Sequence, residues 1–131
     1  MIQARNIDLS SLGTSFITAS LASDTTVTTS QKTLLSITIP ESGTYLVLLS
    51  GYASGATADG YVRPYIYTNN TQSFSVAIDI TSSSGVTRRN ISTTYANTFS
   101  SGDVISLRML ADSGTYSVRN GTRLSALRVF S

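Results

Sequence analysis

Tyr61, Arg63, Tyr65 and Tyr67 recur at every second position, the spacing that sets side chains in one row along a strand. Three phenol rings offer flat faces and hydroxyls to a sugar. The guanidinium can fork onto a phosphate or a uronate carboxylate, so the row reads as a grip for an anionic glycan. Val62, Pro64 and Ile66 fall on the opposite face, and Pro64, which has no N–H, suggests an edge strand or a bulge where a ligand can approach. Asp59, beside Gly60, is suited to accept hydrogen bonds from sugar hydroxyls, and equally to close a turn. Arg88 and Arg89 follow a turn signal at residues 82–85 and fall on opposite faces of a strand. They could join a phosphate site, or pair with an acid across an assembly. The alternative use of the tyrosine row is packing, under a loop or against a neighbouring protomer.

Catalysis finds little to work with. The 131-residue chain has no His and no Cys, which removes thiolate nucleophiles, the usual proton shuttle and the commonest metal ligands. Asp8, Asp24, Glu41, Asp59, Asp79, Asp103 and Asp112 stand apart in sequence, whereas glycosidic acid–base chemistry needs two carboxylates in one cleft. No Gly-x-Ser-x-Gly elbow and no phosphate-binding loop occurs. The expectation is a non-enzyme without cofactor or metal. Nine Lys or Arg against seven Asp or Glu, scattered in a chain that is 12% charged, are too thin a footprint for nucleic acid. No apolar run reaches the ~18 to 20 residues of a membrane-spanning helix, and the first residues lack the apolar core of a signal peptide.

The elements that must position the row are strands. The length fits one domain. Leu35, Ile37 and Ile39 alternate with Ser36 and Thr38, and Phe74, Val76, Ile78 and Ile80 alternate with Ser75, Ala77 and Asp79, a period of two. Residues 15–22, 25–29, 45–49, 61–68, 87–99, 104–111, 115–118 and 123–130 read as further strands. Turn chemistry fills the gaps, with Asn120-Gly121 the strongest hairpin signal. Nowhere does a helical apolar period persist. About ten short strands at regular spacing predict an all-β, antiparallel two-sheet sandwich or jelly roll.

Residues 45–49 and 124–130 are apolar on both faces. Tyr45, Val47 and Leu49 point one way, and Leu46 and Leu48 the other. At about 25 cal/mol per Å² of apolar area, leaving either face in water forgoes several kcal/mol. A second copy of the chain is the economical cover; a loop such as residues 2–12 is the alternative.

Gly43-Thr44-Tyr45 opening a doubly apolar strand, Gly102-Asp103-Val104 opening a later one, and an apolar strand at 124–130 resemble the C1q/TNF-like trimeric jelly roll, over residues 15–130. The resemblance implies a final strand in an inner sheet facing a threefold axis, hence a homotrimer. Within that family the chain looks most like the head domain of a bacteriophage tail receptor-binding protein. Ile2-Gln3-Ala4-Arg5-Asn6-Ile7-Asp8-Leu9 is similar to linkers of tail and baseplate proteins, and the Cys-free, Trp-free, Ser/Thr-rich composition suits a fibre tip. On this likeness residues 1–13 are a tether from a preceding shaft and 14–131 the head. The head would sit on the virion, act outside the cell and bind a host cell-wall saccharide, without membrane insertion. A trimerisation or surface-decoration module of a capsid or spore coat, binding no specific ligand, is the competing expectation.

Overall fold

Gly43 is where two distant parts of the chain come closest. A Cβ at this position would lie 2.5 Å from the Phe130 carbonyl oxygen and 2.6 Å from Arg128 Nε. Only glycine lets the strand beginning here run beside the one ending at Phe130, and Tyr45, two residues on, is fully buried with its hydroxyl donating to the Glu41 carbonyl at 2.8 Å. A computed structural model of the chain describes residues 16–55, 60–75, 78–80, 87–112 and 114–131. Eleven strands follow in order: β1 (Phe16–Ser20), β2 (Thr25–Val27), β3 (Lys32–Thr38), β4 (Gly43–Gly55), β5 (Gly60–Thr68), β6 (Thr71–Ser75), β7 (Ile78–Ile80), β8 (Thr87–Phe99), β9 (Val104–Ala111), β10 (Tyr116–Val118) and β11 (Arg123–Phe130).

The strands form two antiparallel sheets. In the first, β1-β11-β4-β8 lie side by side, with β2 and β10 continuing the β1 and β11 columns along the far half of β4. The second runs β3-β9-β5-β6, and β7 joins β5 in the register that β6 sets, Tyr65 opposite Ser75 and Val62 opposite Ile78. From β3 to β5, and again from β8 to β10, the chain alternates between sheets, the wrapping of a jelly-roll sandwich. Alternate residues face inward: Leu35, Ile37 and Ile39, then Tyr45, Val47 and Leu49, then Ile105, Leu107, Met109 and Ala111 are buried between the sheets. The turns at Ser42-Gly43 and Ser101-Gly102 meet at one end, where Ser101 N donates to Ser42 Oγ at 3.0 Å and Ser101 Oγ to the Pro40 carbonyl at 3.0 Å.

Two expectations are corrected. Pro64 is not on an edge: β5 lies between β9 and β6/β7, with Pro64 buried opposite Met109. Its ring fills an inward position, and the bulge alternative falls opposite residues 76–77, which lie outside the described residues. Asn120-Gly121 does not close a hairpin, because β10 and β11 run the same way along β4 and never pair with each other. Arg119 to Thr122 bulge out of what would be one strand. Gly121 takes a φ of 83° and Thr122 N donates to the Arg119 carbonyl at 3.2 Å. The bulge turns Thr122 into the space left by Gly51, where a Cβ would collide with the threonine side chain. The tight two-residue reversal is instead Asn69-Asn70, between Thr68 and Thr71, with Asn69 at φ 52°.

Candidate functional site

On β5, Val62, Pro64 and Ile66 are buried, while Arg63, Tyr65 and Tyr67 alternate with them and are half-buried on the outer face of their sheet. The row therefore extends across the sheet according to its neighbours. On β9, Ile105, Leu107 and Met109 are buried, which leaves Ser106, Arg108 and Leu110 on the outer side. The register puts Arg63 opposite Leu110, Tyr65 opposite Arg108 and Tyr67 opposite Ser106.

Arg108 is the residue that these pairings add. Its guanidinium carbon lies 4.0 Å from the centroid of the Tyr67 ring, and Nη2 donates to Asn70 Oδ1 at 2.9 Å. Gln31 Nε2 donates to the Tyr67 hydroxyl at 3.3 Å. Asn70 is delivered by the tight turn after β5, and that turn is itself pinned. Asn69 N donates to the Val104 carbonyl at 2.7 Å, Val104 N returns a bond to Asn69 Oδ1 at 2.9 Å, and Asn69 Nδ2 donates to Asp103 Oδ1 at 3.1 Å. The backbone bond from Ser100 and then the Asn69 amide hold the Asp103 carboxyl below its ordinary value. These groups border a shallow, open groove of about 360 Å³, lined by the hydroxyl residues Thr33, Ser36 and Ser106, the amides of Asn69 and Asn70, and by Val104 and Arg108. Its lining offers hydroxyls, amides and one cation, which is chemistry for binding a polar ligand. No group of three or more His, Cys, Asp or Glu able to hold a metal ion occurs among the described residues.

The sequence-predicted residues are distributed unequally. Tyr65, Tyr67 and Arg63 share the outer face of the β5 sheet, and Arg63 has an interaction of its own there. Tyr61 lies on the same strand, opposite Asp79, and Arg88 and Arg89 begin β8 in the other sheet, opposite Ser54 and Ala53. For these three only the backbone register is described. Asp59 and the turn at 82–85 lie outside the described residues, as do residues 1–13. Arg108, Asn69, Asn70 and Gln31 were missed. The signal for Arg108 is its charged head at an outward position within a strand whose only other polar residue is Ser106; which strand it would meet is not written locally.

The outer face of the β4 sheet has different chemistry. One row across four paired strands reads Phe16, Leu127, Leu46 and Ala96. Phe16 is 50% exposed, Leu46 and Leu127 are half-buried, and Phe130, opposite Thr44, is 70% exposed. Leu48 lies in the next row, between Ser125 and Thr94.

No protein-family model matches the chain, and no curated protein matches it.

Proposed function

We propose that the chain is a non-catalytic adhesion head, a C1q/TNF-like homotrimer at the tip of a bacteriophage tail, that recognises a bacterial cell-surface saccharide. The observation that carries this reading is the contrast between the two outer faces. The β4 sheet presents the apolar row of Phe16, Leu127, Leu46 and Ala96, and the β5 sheet presents two tyrosines, two arginines and a hydroxyl-lined groove. An apolar sheet face suits burial against copies of itself. In the resemblance drawn above, the last strand faces the threefold axis. Here β11 lies beside β4 at the heart of the apolar-faced sheet, in keeping with that arrangement. Three copies then carry three shallow sites outward, and avidity compensates for the weakness of each. The phage-tail location rests on the likeness of Ile2 to Leu9 to tail-protein linkers.

Light scattering of the purified chain is expected to give the mass of three copies; a monomer overturns the assembly. On an array of bacterial cell-wall saccharides the parent is expected to bind and Tyr65→Ala to bind about tenfold more weakly or not at all. A trimer that binds no saccharide is the result that favours a decoration module.

A further inference from the structure

The geometry points to Arg108 as the anchor for an acidic substituent, a phosphate or a carboxylate, on the saccharide that the groove of Thr33, Ser36, Ser106 and Asn70 receives. The inference rests on reading this face as the ligand face and goes beyond it in naming the ligand's charge and the residue that selects for it.

Two described arginines are held differently from Arg108. Arg119 pairs with Asp24 at 2.9 Å and Arg128 with Glu41 at 2.7 Å, so each meets a carboxylate. Arg108 does not. Its guanidinium is fixed by the Tyr67 ring face and the Asn70 amide oxygen, both neutral. All three carry a buried Nε without an acceptor, so what distinguishes Arg108 from Arg119 and Arg128 is that it meets no carboxylate among the described residues. Arg123 also lacks one, but it is exposed, lies in the other sheet and bonds only the Ser20 hydroxyl. With Nε buried and one Nη2 hydrogen taken by Asn70, the guanidinium still has Nη1 and the second Nη2 hydrogen to offer an oxyanion end-on. The acid nearest in the hydrogen-bond network, Asp103, has both oxygens engaged, Oδ1 by Asn69 Nδ2 and Oδ2 by Ser100 N at 2.8 Å. It is tied into the turn and forms no ion pair with Arg108. Around the cation stand hydroxyls and amides, with the Tyr67 ring beneath the guanidinium. At about 360 Å³ the groove is at the small end of ligand sites, a fit for a short charged unit.

The test is a titration of the full chain with glucose, glucose 6-phosphate and glucuronate, followed through backbone amide NMR shifts. Both charged sugars are expected to shift Asn70, Ser106 and Arg108 and to bind about tenfold more tightly than glucose, with the advantage shrinking as salt is raised. The phosphate and carboxylate arms show which oxyanion the fork prefers. Arg108→Gln is expected to reduce both to the affinity of glucose, and Arg108→Lys, which keeps the charge without the fork, to retain part of the difference. Unfolding temperatures of the variants confirm that they are folded. If a folded Arg108→Gln still prefers the charged sugars, or glucose binds the same amides equally well, the anchor is overturned while the saccharide reading stands. If no sugar shifts these amides, both fall.

Discussion

At the residue scale, what matters is how little space separates some pairs. Gly51 and Thr122 show this most clearly: Thr122 is 1% exposed, its hydroxyl donates to the Arg119 carbonyl at 2.8 Å, and its methyl and Cβ occupy the volume that a side chain on residue 51 would need. Gly51→Ala is expected to destabilise the fold by about 1 to 3 kcal/mol through overpacking, read from chemical denaturation. Neither residue draws attention in the sequence. A glycine in a strand signals close approach in general, but the partner lies 71 positions away and only the register reveals it. Arg108 is hidden in the same way. By contrast, Tyr65 and Tyr67 were legible, because two-residue alternation is a local property that tertiary structure left intact.

At the element scale, the break shared by β1/β2 and β10/β11 is the feature that propensity alone misjudges. Asn120-Gly121 has hairpin chemistry, yet the chain does not reverse. After the bulge it continues along β4, because reversing would remove Leu124 and Ala126 from the core. The bulge is locked by Asp24, which accepts from Asn120 N at 2.8 Å and from Arg119 Nη1 at 2.9 Å. The Asn120 backbone bond and then the Arg119 bond hold the Asp24 carboxyl below its ordinary value of 3.8. A depressed folded-state value means that the folded form holds the charged carboxylate more tightly than the unfolded form. The resulting stability is complete above the ordinary value and is lost as pH falls through the depressed one. With no His in the chain, the unfolding temperature is expected to stay level from about pH 5 to 8 and to drop below about pH 4. Asp24→Asn is expected to lower it at neutral pH and to flatten the acid-side decline. Strand positions were far more legible: residues 87–99, 104–111 and 123–130 coincide with β8, β9 and β11, since each is a run of strand-forming residues set off by turn signals.

At the scale of the whole molecule, the sequence pattern foretold two apolar faces on residues 45–49, and the structure buries Tyr45, Val47 and Leu49 while leaving Leu46 and Leu48 half-buried on the other side. The face was legible because it is written in consecutive residues. Its extent was not, since Phe16 and Ala96 join Leu46 only through pairings with strands remote in sequence. On the trimer reading, Leu46→Glu places an unpaired carboxylate on a buried interface, a cost that weakens association by at least about tenfold. Sedimentation is expected to show monomers for this variant at concentrations where the parent remains assembled.

β11 also governs the order in which the fold can form during synthesis. It occupies the slot between β1 and β4, and the Thr18 and Ser125 side chains that meet there are 107 residues apart. A growing chain can pair β3, β9, β5 and β6 before residues 123–130 exist, but β1 has no neighbour on that side until they do. Closing so long a loop makes folding slow, on the scale of milliseconds to seconds, and leaves Phe16 and Leu46 without Leu127 between them in the interval. The nascent protein is thus a half-sheet that waits on residues 123–130, and ribosome-bound chains truncated before residue 123 are the species most exposed to aggregation and to chaperone capture.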